Sequence, residues 1–140
     1  MITLAVADLE RALAFYRHLG LESKGIVGTK WTDETTGANG AIAMFKLDGG
    51  LLLNLYARAD LAKDAAIPVG RPQSGEFSLA QLVRSRDEVD QLLENAAAAG
   101  ATVTPAHDRP WGIYSGYFHD PDGHLWEVIW HPDRIPELLG

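Results

Sequence analysis

The chain has 140 residues, 46% apolar and 22% charged, which is the composition of one folded domain with enough apolar material for a core. Its 19 acidic and 12 basic residues leave a net charge of −7, and the basic ones are scattered, so no nucleic-acid partner is expected. Cysteine is absent, which excludes disulfides, thiolate metal sites and a Cys nucleophile, and no run of about 18 apolar residues offers a membrane span.

The opening, MITLAVADLE, carries neither a basic leader nor a cleavage site, so a cytoplasmic protein is expected. Ile2, Leu4 and Val6 alternate with Met1, Thr3 and Ala5, the period of a short strand. Asp8 is placed to cap a helix whose apolar face is Ala12, Phe15, Tyr16 and Leu19, and Gly20 stands where that helix stops. A strand is predicted over 21–27, then a polar loop, 29–40, containing Trp31. Ala41 to Leu47 and Leu51 to Tyr56 predict two more strands joined through Asp48-Gly49-Gly50. Residues 58–75, with Pro68, Gly70, Pro72 and Gly75, read as a crossing linker with one helical turn near Leu61 to Ala65.

The pattern then starts again. Ser78 to Val83 predicts a strand, and Ser85 with Glu88 forms a capping box. Val89, Leu92, Leu93 and Ala96 stand at the same offsets from Val83 as Ala12, Phe15, Tyr16 and Leu19 from Val6. Gly100 ends the helix, Ala101 to Pro105 predicts a strand, and a hairpin follows through a second Asp-Gly. Both halves read β-α-β-β-β. The expected organisation is one domain, 1–140, with modules at 1–57 and 76–131, the linker 58–75 and a tail 132–140. The fold class is α+β. A sheet with one helix buries one face only, and two such sheets side by side are expected to curl into an open half-barrel with a concave cleft.

The last hairpin, GIYSGYFHDPDGHLWEVIW over Gly112 to Trp130, turns at Asp120-Pro121-Asp122-Gly123. A symmetric turn sets His119 opposite His124, Tyr117 opposite Trp126 and Gly116 opposite Glu127. Strand parity puts Trp126, Val128 and Trp130 on one face and Leu125, Glu127 and Ile129 on the other. Glu127 is a lone carboxylate on an apolar strand, costly to bury unpaired. Either it has a partner, with Arg84 and Arg109 the nearest basic residues, or its face lines a wet cavity. In this register Tyr114 shares parity with Glu127, while His119 and His124 lie on the opposite face unless a one-residue bulge intervenes. Trp111 is placed to cap the cleft, and Asn54 and Tyr56 share a face in the first half. Ser115 lacks an orienting acid and an oxyanion-hole pattern, so a Ser nucleophile is not supported.

The segments ITLAVADLERALAFYRHLGL and GYFHDPDGHLWEV, with the paired β-α-β-β-β plan, resemble the vicinal oxygen chelate superfamily, the glyoxalase, bleomycin-resistance and dioxygenase fold. The resemblance covers nearly the whole chain and implies a metal held at four equivalent strand positions, commonly by His or Glu. Here these fall on Met1, Asn54 (or Leu53), Ser78 and Glu127. One carboxylate is too little for a divalent ion, which needs about three N or O side-chain ligands. The expected function is therefore cofactor-free, metal-free binding of a small, partly aromatic molecule, with Asn54, Tyr56, Ser78, Trp111, Tyr114 and Glu127 around it and Glu127 as the catalytic candidate. The alternative is a metal-dependent lyase, isomerase or dioxygenase with a rearranged site. The family implies a homodimer.

Overall fold

A computed structural model describes residues 1–72 and 75–132; the expected tail lies outside them apart from Pro132. The chain divides into two compact units, Met1–Gln73 and Ser74–Gly140. The first contains β1 (Ile2–Val6), α1 (Leu9–His18), β2 (Ile26–Val27), β3 (Ile42–Lys46), β4 (Leu52–Ala57) and α2 (Arg58–Ala65). Its sheet has the order β1-β4-β3-β2, with β1 parallel to β4 and the other pairs antiparallel. The second contains β5 (Leu79–Leu82), α3 (Arg86–Ala98), β6 (Thr102–Val103), β7 (His107–Asp108), β8 (Tyr114–His119) and β9 (Leu125–Trp130). Its order is β5-β9-β8-β6, again with first and last strands parallel, and β7 adds to β8. The α+β class and the repeat are both present.

The helices form where the caps and apolar spacing place them. Asp8 accepts a hydrogen bond from the Arg11 amide, and Ser85 accepts one from Glu88, satisfying donors that each first turn leaves open. Glu88 in turn accepts from the Arg84 amide at 2.6 Å. In the first unit Ala12, Phe15 and Tyr16 bury against Leu4, Val6, Phe45, Leu53 and Leu55, with the Tyr16 ring 5.8 Å from that of Phe45. In the second, Val89, Leu93 and Ala96 bury with Phe118, Trp126 and Val128, and the Phe118 and Trp126 rings stack 5.9 Å apart. The larger apolar side chains contribute about 1.5–3 kcal/mol each by leaving water.

Four expectations change. The strand predicted over 21–27 shrinks to Ile26–Val27, because Ser23 bonds locally, its carbonyl accepting from Arg17 Nη2 and its hydroxyl from the Gly25 amide. The linker begins with two helical turns, α2, which bury Ala62 and Asp60; the Asp60 carboxylate accepts from the Asn39 amide and so ties down the 29–40 loop. The strand predicted over 101–105 pairs only at Thr102–Val103. Beyond it the Thr104 hydroxyl stands in for a carbonyl, accepting from the Tyr117 amide at 3.0 Å, and the chain rejoins β8 as β7.

The fourth change is the register of the last hairpin. One Asp120 carboxylate oxygen accepts from the amides of Asp122 (3.0 Å) and His124 (2.8 Å), and the Asp120 amide donates to the His124 carbonyl. The loop is thus three residues, Pro121-Asp122-Gly123, with Gly123 at φ +86°, a conformation glycine adopts without steric cost. The pairs become His119 with Leu125, Phe118 with Trp126, Tyr117 with Glu127 and Gly116 with Val128, one residue away from the symmetric expectation.

Gly116 lies under α3, where a Cβ would meet Leu93 Cδ1 at 2.7 Å and the Thr104 carbonyl oxygen at 3.0 Å. Gly116→Val should therefore destabilise the protein by roughly 1–3 kcal/mol through overpacking. Urea unfolding would show a lowered midpoint; an unchanged midpoint would mean that α3 is free to move off β8.

Candidate functional site

Each sheet has a helix-bearing face and an open face. In the second unit α3 covers the face of Phe118, Trp126 and Val128, so register and parity assign Ser115, Tyr117, His119, Leu125, Glu127 and Ile129 to the open one. Glu127 sits directly opposite Tyr117, near enough for its charge to act on the Tyr117 phenol. The Arg109 guanidinium lies 5.5 Å from the centre of the Tyr117 ring, and its Nη2 donates to the Ser115 carbonyl at 3.4 Å. No ion pair joins Arg109 to Glu127 among the described residues. Two buried groups beside this cluster, Ser115 Oγ and Arg109 Nε, have no hydrogen-bond partner among the described residues. Such orphans cost about 1–3 kcal/mol each unless water or a ligand fills them.

Burial pushes the Tyr117 phenol above its ordinary value, the Glu127 charge pushes the same way, and the Arg109 charge opposes both. The folded state therefore holds this proton more tightly than the unfolded chain does. The resulting stability is complete below about pH 10 and is lost as pH rises through the elevated value.

The other residues of the expected site are distributed unevenly. Tyr114 pairs with Trp130 on the helix-bearing face, not beside Glu127; its hydroxyl donates to Asp90 of α3 at 2.7 Å, and Arg86, paired with Asp108, lies 4.2 Å from its ring centre. The one-residue register change accounts for this, and it moves His119 onto the face of Glu127. Trp111 is 76% exposed, with φ at +67° and its carbonyl hydrogen-bonded to His131 at 2.9 Å. Ser78 is exposed and precedes β5. In the first unit Asn54 is 7% exposed and shares the open face with Thr3, Met44 and Tyr56. Its Nδ2 donates to Thr3 Oγ1, while its Oδ1 is buried without a partner among the described residues. The Tyr56 hydroxyl is committed to the Asn39 carbonyl at 2.6 Å, leaving only its ring to offer.

The registers align the two units position by position. Thr3 pairs with Asn54 as Ala80 pairs with Glu127, so Asn54, and not Leu53, is the counterpart of Glu127, and Met44 is the counterpart of Tyr117. A model of the Glyoxalase/Bleomycin resistance protein/Dioxygenase superfamily matches residues 1–128. The chain belongs to this superfamily. It is 26% identical over 140 residues to a protein named metallothiol transferase FosB from Shouchella clausii, covering 99% of this chain and 82% of that one. A glyoxalase-related enzyme from Fulvimarina pelagi superposes with a TM-score of 0.75 at 30% identity, over 93% of this chain and 85% of the other. Lactoylglutathione lyase from Agrobacterium tumefaciens superposes with a TM-score of 0.60 at 28% identity, over 92% and 90% of the two chains.

The superfamily's four metal positions, as the resemblance places them, hold a thioether, an amide, a hydroxyl and a single carboxylate. That donor set does not fit a divalent ion. Among the described residues no three His, Asp or Glu side chains gather closely enough to hold one.

Glu127→Gln should bring the Tyr117 phenol back toward its ordinary value by removing the neighbouring charge. Tyr56 and Tyr114 are also pushed up, so the measurement is the phenolate absorbance titration of each protein minus that of its Tyr117→Phe counterpart. An unshifted difference curve would show that Tyr117 and Glu127 are not coupled.

Proposed function

We propose that this protein binds a small, partly aromatic organic molecule against the open face that carries Glu127, with no transition metal resident there. The observation that carries the reading is the Arg109–Tyr117–Glu127 cluster beside Ser115 Oγ and Arg109 Nε, whose hydrogen-bonding capacity the described residues leave unused. A pocket with a few convergent polar groups on an otherwise apolar surface is the common form of a small-molecule site. Tyr117 and Arg109 can donate to a ligand, and Glu127 can accept from it or exchange a proton with it. Leu125 and Ile129 supply apolar contact on the same face. Ser78 and Trp111 of the same unit are further contacts in this reading; Asn54 and Tyr56 belong to the first unit, where Asn54 Oδ1 is an acceptor awaiting a donor.

Metal-dependent chemistry is the competing reading, because the family includes a relative named metallothiol transferase. It would need donors beyond Glu127, and the four equivalent positions do not supply them. Assembly is proposed to be homodimeric, since the exposed Leu82 on the edge strand β5 offers apolar surface for a second copy.

Protein purified without a metal-binding tag should carry far less than one transition-metal ion per chain by elemental analysis. Stoichiometric Zn, Ni, Mn or Fe, lost in Glu127→Ala, would overturn the metal-free reading. A screen of aromatic metabolites by quenching of Trp fluorescence should yield a ligand whose affinity falls about tenfold or more in Glu127→Gln, the size of a lost charged hydrogen bond. Stability of that variant should stay within about 1 kcal/mol of the parent, because no paired cation is orphaned. A large stability loss with unchanged binding would make Glu127 a structural residue.

A further inference from the structure

A cavity lies wholly within the first unit, at the β2 edge of its sheet. It holds about 290 Å³ and is lined by Val27, Met44 and Leu52, with Lys24, Lys46 and Glu22 around them. The register places Val27, Met44, Lys46 and Leu52 on one face, the open one, because Val27 pairs with Ile42, Met44 with Asn54 and Lys46 with Leu52. The wall formed by 22–25 is already built: the Ser23 carbonyl accepts from Arg17 Nη2 at 3.0 Å, and the Ser23 hydroxyl accepts from the Gly25 amide at 3.1 Å. A ligand entering here need not order that segment first.

The charges around the cavity are unusual for a chain of net charge −7. Two lysines and one glutamate line it, and among the described residues none of the three side chains makes an ion pair or hydrogen bond. Free lysines on an acidic protein that flank a largely apolar cavity are complementary to a molecule with an apolar body and one negative charge. At ~30 Å³ for each water-sized group, the volume takes about ten of them. A phosphate or other dianion suits it less well, since the apolar lining would strip a strongly hydrated head without replacing its hydrogen bonds.

We infer that this cavity binds a small apolar monocarboxylate of about ten non-hydrogen atoms, its body on Val27, Met44 and Leu52 and its carboxylate between Lys24 and Lys46. The site shares no residue with the Glu127 cluster and does not depend on the function proposed for it.

Octanoate and its neutral analogue octanamide test the inference by backbone amide NMR titration of the whole chain. Octanoate should shift Lys24, Val27, Met44, Lys46 and Leu52 at millimolar concentration or below, and octanamide should bind more weakly. An exposed ion pair gains up to about fivefold in affinity, so Lys24→Gln with Lys46→Gln should weaken octanoate roughly tenfold and bring it close to octanamide. Glu22→Gln should strengthen octanoate, a gain that simple unfolding of the pocket could not produce. Absence of shifts at these residues, equal binding of the two probes, or shifts confined to β8 and β9 and abolished by Glu127→Gln would each overturn it. In the last case octanoate would be a ligand of the Glu127 face, so the two sites fail separately.

Discussion

The Asp120 carboxylate decides what surrounds Glu127. By holding the amides of Asp122 and His124 it closes a three-residue loop, and that loop fixes which residue of β8 lies opposite which residue of β9. Asp120 is itself 4% exposed, so its acceptor capacity is turned inward on the chain rather than spent on water. Strand parity then does the rest: Tyr117 falls beside Glu127, and Phe118 falls beneath α3 against Trp126. A slip of one residue would exchange these roles, burying the phenol and exposing the phenylalanine. The apolar demand of the core and the polar demand of the open face therefore support the same register.

Duplication explains why polar groups occur where they do. In each unit the helix of the repeat, α1 or α3, covers one face of a four-stranded path, and a central position on the last strand of the repeat points the other way. In one unit that position is Asn54, flanked by Thr3 and Met44; in the other it is Glu127, flanked by Ala80 and Tyr117. The backbone frame is the same, and the side chains differ: an amide with a thioether neighbour in one unit, an acid with a phenol neighbour in the other. Arg109 has no place in the frame. It arrives from the turn before β8, where Trp111 takes a left-handed conformation and the Arg109 amide bonds the Ile113 carbonyl.

What the sequence makes legible here is local. Asp8, Ser85, the two apolar helix faces and the two Asp-Gly turns each express a short-range rule, and the structure places them where those rules require. The resemblance to the superfamily joins them into a fold. The hairpin register is not legible in the same way, because Asp120-Pro121-Asp122-Gly123 is compatible with turns differing by one residue and side-chain bonds to the backbone choose between them. That choice is why Tyr114 reads as a partner of Glu127 and Tyr117 does not. Helix α2 is legible only at its end, as the turn read near Leu61 to Ala65, because it begins at Arg58 without a side-chain cap, directly off β4, and buries only Asp60 and Ala62. Arg109 is visible as a basic residue, but its position depends on an irregular loop that no periodicity describes.

The Thr104 hydroxyl that substitutes for a strand carbonyl has a mechanical consequence. Backbone ladders open by moving backbone, whereas this bond opens by one turn of a side chain about χ1. The amide it releases belongs to Tyr117, while the Tyr117 carbonyl stays bonded to the Thr104 amide. The seam between β6 and β8 thus has a soft point at the residue whose phenol meets Glu127, inside a sheet that is otherwise pinned by α3. Rotation of Thr104 about χ1 therefore opens one bond of this seam with the backbone of both strands in place, which no bond between two backbone groups allows.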